Sequence, residues 1–134
     1  MKKRLIFDFA LILLVISCCF IFLLYGGYFD KFQRKGVVNN YFSALSEGRY
    51  ELAKTYCVED GGWYELTESI KSKELPSYPI TYTPNIVKDY GDFINVELVT
   101  TTTSILGINV RQTDNPLIFL TKEKKGLLGS WKLK

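Results

Sequence analysis

The chain predicts an α+β protein: an N-terminal transmembrane helix followed by helices packed on an antiparallel sheet. Three observations lead there. Phe9 to Phe29 is a run of 21 residues without a formal charge, bounded by Asp8 and Asp30. Between residues 30 and 73, apolar side chains recur at helical spacing. From Pro76 onward, apolar and polar residues alternate with the period of two that a half-buried strand requires.

The uncharged run comes first. At 1.5 Å per residue it makes a helix of roughly 31 Å, the thickness of a bilayer's hydrocarbon core. Leu11-Ile12-Leu13-Leu14-Val15-Ile16 and Phe20-Ile21-Phe22-Leu23-Leu24 are favourable at mid-bilayer, and Tyr25, Tyr28 and Phe29 stand where an aromatic belt would. The division is therefore a short cytoplasmic tail at 1–4, a transmembrane signal anchor at 5–29 and an extracytoplasmic domain at 30–134. Two other readings stay open. A cleaved signal peptide has an apolar region of only about 7–15 residues before a small-residue site, and here the run is longer and reaches Tyr25-Gly26-Gly27. Val15-Ile16-Ser17-Cys18 resembles a lipobox, with Cys18 as the lipidated residue, but Cys19 to Tyr25 stays apolar. Length and flanks favour the retained helix. Asp8, at the edge of the run and close to Lys2, Lys3 and Arg4, reads as an interfacial carboxylate; the alternative is an intramembrane carboxylate paired with another helix. Three basic residues precede the run, and Lys31, Arg34 and Lys35 follow it. The free amino terminus and the short tail tip the orientation to N-terminus inside, giving a single-pass cell-membrane protein.

Composition bounds the remainder. Residues 30–134 suffice for one domain with a modest core. With Lys2, Lys3, Arg4 and Asp8 set aside, the 17 basic and 14 acidic residues fall to 14 and 13, a net charge of +1. A nucleic-acid binder should be clearly basic, so nucleic acid is not expected as a partner. Cys57 is the single cysteine outside the anchor, so no internal disulfide is possible and packing alone must hold the fold. Such an exported domain suits a Gram-positive bacterium better than a eukaryotic secretory route.

Within the domain, Val38, Tyr41, Phe42 and Leu45 mark the first helix, and Gly48 stands where a helix ends. A short helix with Leu52, Ala53 and Tyr56 on one side follows. Glu59-Asp60-Gly61-Gly62 breaks the chain, and Trp63, Leu66 and Ile70 mark a third helix ending near Lys73. Tyr78, Ile80 and Tyr82 open the first strand, which Ile86 and Val87 continue to a turn at Asp89-Tyr90-Gly91-Asp92. The strongest strand is Phe93 to Thr103, with Ile94, Val96 and Leu98 on one face and Phe93, Asn95 and Glu97 on the other. Ser104 to Asn115 reads either as a long loop or as the first half of the next strand. Leu117 to Lys122 is a strand, Lys124-Lys125-Gly126 a turn, and Ser130 to Lys134 the last strand, with Trp131 inward and Lys132 and Lys134 outward. Helices first and hairpin-linked strands afterwards give the α+β layout, with the helices covering one sheet face.

Val37-Val38-Asn39-Asn40-Tyr41-Phe42-Ser43-Ala44-Leu45-Ser46-Glu47-Gly48-Arg49-Tyr50-Glu51-Leu52-Ala53 resembles the opening of the nuclear transport factor 2-like (cystatin-like) superfamily: an apolar helix with Tyr-Phe-x-Ala-Leu, then a glycine, then a helix with alanine. Gly129-Ser130-Trp131-Lys132-Leu133 is similar to the family's closing strand. The resemblance spans residues 31–134. It implies a curved sheet wrapped around the helices as a cone with a pocket, which Tyr41, Trp63, Tyr82, Phe119 and Trp131 could line. Enzymes of the superfamily place an Asp, His or Tyr inside that cone. This chain has no histidine, the commonest general base and metal ligand. Asp89, Asp92 and Asp114 fall at turns as ordinary surface charges, and Glu97 alternates to the polar face. No catalytic residue, cofactor or metal ion is expected. Exported members with a single anchor include scaffold components of secretion and conjugation machines. The resemblance thus implies a non-catalytic binding or scaffold domain of a bacterial envelope, with the lipid bilayer, envelope proteins or a second copy as partners. The alternative is a ligand-binding or enzymatic member using its cone pocket, or a lipoprotein of the same fold. Plain core packing is the favoured account of the aromatics, a solvated edge-blocking face that of Lys122, Lys124, Lys125, Lys132 and Lys134, with contact to anionic lipid or cell-wall polymer as the alternative, and a small buried hydrophobe that of Cys57.

Overall fold

The computed structural model describes residues 2–25, 27–73, 80–104, 106–123 and 129–134. The expectations at Pro76 and Tyr78, the Lys124-Lys125-Gly126 turn and the side chain of Tyr25 lie outside them. Among the described residues the order is α1 (Lys2–Tyr25), α2 (Tyr28–Ser46), α3 (Tyr50–Thr55), α4 (Gly62–Lys73), β1 (Ile80–Asp89), β2 (Phe93–Thr103), β3 (Asn109–Asp114), β4 (Leu117–Lys122) and β5 (Trp131–Leu133). The chain forms two compact units, Met1–Phe32 and Gln33–Lys134.

In the first unit, α1 is long and apolar enough over Lys2–Leu23 to cross a membrane, and its large apolar side chains from Leu5 to Leu23 are exposed. None of its spanning-length window is buried among the described residues. The Phe20 and Phe29 rings meet edge-to-face at 6.3 Å.

The second unit is an α+β fold whose antiparallel sheet curls into a half-barrel. Helix α2 supplies the middle of the core: Val38, Tyr41, Phe42, Ala44 and Leu45 are buried. Gly48 ends it as the sequence requires. Its φ of +70° is free for glycine alone. The Arg49 N–H reaches Ala44 O (2.9 Å) and the Gly48 N–H reaches Leu45 O (3.1 Å), the two bonds of a Schellman stop. Helices α3 and α4 are clipped together outside by Lys54, which pairs with Glu51 (2.9 Å) and Glu68, while Lys71 pairs with Glu51 (2.7 Å). Helix α4 turns Trp63, Thr67 and Ile70 toward the core and leaves Leu66 exposed. The apolar positions alone suggested Leu66 inward; the i, i+4 partner of Trp63 on the buried face is Thr67 instead.

The sheet order is β1-β2-β4-β5, with β3 also paired to β2. Strand β2 is the spine. One edge pairs with β1 along nearly its whole length; the other pairs with β4 through Phe93, Ile94 and Asn95 and with β3 from Leu98 to Thr103. The stretch before β4 therefore holds a strand of its own, β3, separated from β4 at Asn115-Pro116. Pro116 has no N–H to offer there, while its carbonyl accepts from the Val96 N–H (3.2 Å). Pro84 is tolerated in β1 because that strand is at the sheet's edge. Val87 does not continue the alternation. It is the extra residue of a bulge between the Ile86–Val96 and Lys88–Asn95 pairs and is exposed.

The inner sheet face carries Ile94, Val96, Ile118, Leu120 and Leu133, all buried, with Trp131 half-buried beside them. Parity then puts Phe119 on the outer face, directly opposite Phe93. Phe119 is 50% exposed, which corrects the expectation that it lines the interior. On this basis Leu133→Ala should cost about 2–5 kcal/mol in denaturant unfolding, a buried truncation, whereas Phe119→Ala should cost under about 1 kcal/mol. Equal losses would mean that the two sheet faces have been assigned wrongly.

Candidate functional site

The aromatics singled out in the sequence divide into three places. Tyr41 and Phe42 are fully buried on α2, and Trp63 at the start of α4 closes over them. The Tyr41–Trp63 and Phe42–Trp63 rings meet edge-to-face at 5.6 and 5.9 Å, and Tyr82 from β1 lies 6.3 Å from Phe42. This is a packed ring cluster on the concave side of the sheet. Trp131 is elsewhere, among the charges of Arg34 and Lys122. Phe119 is on the outer face with Tyr90 and Phe93.

Polar atoms in the ring cluster are satisfied internally. The Thr67 hydroxyl donates to Trp63 O (2.7 Å), which leaves its oxygen to accept from the Tyr41 hydroxyl (2.8 Å). Burial pushes the Tyr41 phenol above its ordinary range, and the Thr67 hydrogen bond offsets only part of this. Tyr41 is thus a neutral donor and no proton acceptor near neutral pH. Burial likewise pushes the Cys57 thiol up to about 11; its Sγ lies 3.5 Å from Ala53 O. A neutral, enclosed thiol is a poor nucleophile. Ser46 joins α2 to β1, accepting from the Tyr82 N–H (2.7 Å) and donating to Phe42 O (2.9 Å).

The second cluster was not legible in the sequence. Its sequence surroundings place Asp89 at a surface turn, but its side chain is only 1% exposed. It pairs in fork geometry with Arg34 from α2: Nε to Oδ1 at 3.3 Å and Nη2 to Oδ2 at 3.1 Å. Asp89 Oδ1 also accepts from the Gly91 N–H (2.9 Å), which shapes the turn where Gly91 has φ +95°. The Arg34 guanidinium, itself 11% exposed, lies 5.0 Å over the Trp131 ring, and Lys122 Nζ lies 5.9 Å from the same ring. Bidentate pairing and a stacked aromatic are what an arginine offers and a lysine does not. Next to it in sequence, Gln33 Oε1 is buried without a hydrogen-bond partner among the described residues. Asp92 is exposed in its turn; Asp114, expected at a turn, is the exposed last residue of β3 and pairs with Leu98; and Glu97 accepts from Asn85 Nδ2 (3.3 Å) on the outer face.

A third group covers the outer face at the β1–β2 turn. Tyr90 stacks on Phe93 (4.7 Å, 20°), Phe93 leans on Phe119 (5.4 Å), and Lys88 Nζ sits 4.8 Å from the Tyr90 ring. Tyr90 and Leu117 are each 51% exposed. At the far end of β2 the hairpin to β3 exposes Leu106, Ile108 and Val110. Among the described residues no group of three or more His, Cys, Asp or Glu could hold a metal ion.

Comparison with known proteins adds nothing to this geometry: no family model, curated protein or solved structure matches the chain.

Two measurements test the buried groups. Asp89→Asn keeps an acceptor for Gly91 but leaves Arg34 without its counter-charge. It should cost about 3 kcal/mol in denaturant unfolding, while the double change Arg34→Met with Asp89→Leu should recover most of that loss. A single-variant cost no larger than that of a surface change would remove the ion pair from the structural account. For Cys57 the folded value lies above the ordinary 9.0, so the unfolded chain releases this proton first. The contribution is complete below pH 9 and declines as pH rises toward about 11. Accordingly Cys57 should react with a thiol reagent at pH 8 only as fast as the domain unfolds. Rapid reaction in the folded state would show that the thiol is accessible.

Proposed function

We propose that this is a single-pass membrane protein that acts by binding rather than by catalysis. Helix α1 is the retained anchor, with the N-terminus in the cytoplasm and Gln33–Lys134 on the extracytoplasmic side. The curled sheet around α2 is read as the nuclear transport factor 2-like cone, and the domain serves as an accessory or scaffold of a bacterial envelope assembly, of the kind used in secretion or conjugation. What supports this reading most is the distribution of satisfied and displayed groups. On the concave side the ring cluster is closely packed, Tyr41 is held by Thr67 and Asp89 by Arg34. Apolar side chains are displayed instead on the outer face and on the β2–β3 hairpin. Side chains shielded and paired in this way support structure, whereas displayed apolar residues offer contact.

A scaffold acts at a place, and its anchor supplies the local concentration. Protease added to intact protoplasts should digest residues 30–134 and spare the α1 segment; full protection would reverse the orientation. In a strain whose phenotype depends on this protein, Asp92→Ala, Glu97→Ala and Asp114→Ala should each leave it nearly intact. Exporting the domain without α1 should abolish it. A released domain that still works, together with one of these point variants inactive, would replace the scaffold reading with catalysis on a diffusible substrate. Palmitate incorporation lost on Cys18→Ala would replace the retained helix with a lipid anchor.

A further inference from the structure

The outer face at the β1–β2 turn is an unusual surface for a small soluble unit. Tyr90, Phe93 and Phe119 form a continuous run of rings, with Leu117 next to Phe119 along the same strand face. None of these side chains is needed to cover the core, which lies on the opposite face of the same strands. The polar decoration is specific. Lys88 stands over Tyr90, and Lys134 is brought beside Phe119 by its N–H bond to Phe119 O (2.9 Å). Exposed Asp92 in the turn adds one opposing charge. Rings with a polar edge, accompanied by long cationic side chains that can reach outward, match the headgroup layer of a bilayer, apolar on one side and wet on the other.

The position of this face within its own unit gives a second, independent argument. Asp89 ends β1, and its partner Arg34 is the second residue of the Gln33–Lys134 unit. The ion pair therefore fixes the β1–β2 turn at the end where the chain enters the unit. Lys35 follows Arg34 in sequence and adds positive charge to that entry. By contrast, the β2–β3 hairpin lies at the other end of an 11-residue strand, about 33 Å away at 3.3 Å per residue.

We propose that the Tyr90–Phe93–Phe119 face rests in the headgroup–acyl boundary of the bilayer that holds α1, so that the domain lies against the membrane by a defined face. The inference rests on the reading of α1 as a membrane anchor. A patch of two half-exposed rings, Tyr90 and Phe119, joined through the more sheltered Phe93, would bind vesicles weakly by itself. Tethered by α1, it meets the surface at a high effective concentration, and weak contact is enough to orient the domain. The β2–β3 hairpin, with Leu106 83% exposed, is then directed away from the lipid and left available for a protein.

The test uses the full chain in vesicles of mixed zwitterionic and anionic lipid, with Cys18→Ser and Cys19→Ser. A fluorophore is placed on Leu117→Cys or, for comparison, on Leu106→Cys; the parent without an added cysteine gives the background from buried Cys57. Brominated lipid should quench the label at position 117 and not at 106, and iodide should quench the label at 117 about threefold less than at 106. Adding Tyr90→Ser with Phe119→Ser should erase the difference. Equal, water-like quenching at both positions in protein that floats with the vesicles would overturn the inference and leave the anchor standing. Protein that fails to float would overturn the anchor reading and this inference with it. Shielding at position 117 that fades as the protein is diluted in lipid would assign the face to a second copy of the chain instead.

Discussion

Burial of one stripe of α2 is the interaction on which the rest of the Gln33–Lys134 unit depends. Val38, Tyr41, Phe42 and Leu45 meet the inner sheet face at Ile94, Val96, Ile118 and Leu133 in a single cluster. No disulfide can share the burden, because the three cysteines are free and only Cys57 lies in this unit. A domain of about one hundred residues has little surplus burial, so one contiguous core must hold every element. The peripheral pieces follow from it. Ala53 and Cys57 bring α3 and the chain after it against the same cluster, and the Cys57–Leu133 bridge lays that chain along the last strand.

Three polar contacts at the core bring their partners with them. Thr67 completes Tyr41, Ser46 serves the Tyr82 backbone, and Arg34 completes Asp89. Each removes a desolvation cost that would otherwise outweigh the burial around it. The Arg34–Asp89 pair does more than break even in geometry. It joins the start of α2 to a turn 55 residues later, and the Trp131 ring under the guanidinium shields it. Replacing this pair by apolar groups would preserve packing, but the fork defines one angle between helix and turn in a way that an apolar contact does not.

The sheet owes its two different ends to a change of partner along β2. Next to β4 the inner face is covered by helices and the outer face carries rings. Beyond Pro116, β3 takes over, and every one of its residues is exposed. The same strand therefore passes from a packed layer into a three-stranded arm with β1 on one edge and β3 on the other. An apolar residue at one end and at the other meets different surroundings, so the unit presents two displayed surfaces of different character: aromatic and lysine-flanked at the β1–β2 turn, aliphatic at the β2–β3 hairpin.

The sequence by itself determined the features that rest on neighbouring residues. Composition marked out a spanning-length helix, although α1 starts earlier, at Lys2, and the end of the uncharged run, Tyr28 and Phe29, opens α2 instead. Helical spacing placed α2, Gly48 stopped it, and alternation assigned the faces of β2, because periodicity and backbone freedom are local properties. Only the tertiary structure decided which polar residues lose water and which apolar residues keep it. Leu117 to Leu120 is apolar at every position, so alternation could not tell Phe119 from Ile118; pairing with Phe93 and Ile94 did. Trp63 and Ile70 fit a helix face with Leu66 or with Thr67, and the hydroxyl of Tyr41 selected Thr67. Asp89 has the sequence surroundings of a surface turn, and its burial comes from an arginine remote in the chain. Burial and charge pairing are sums over residues brought together from far apart, and no local pattern carries that sum.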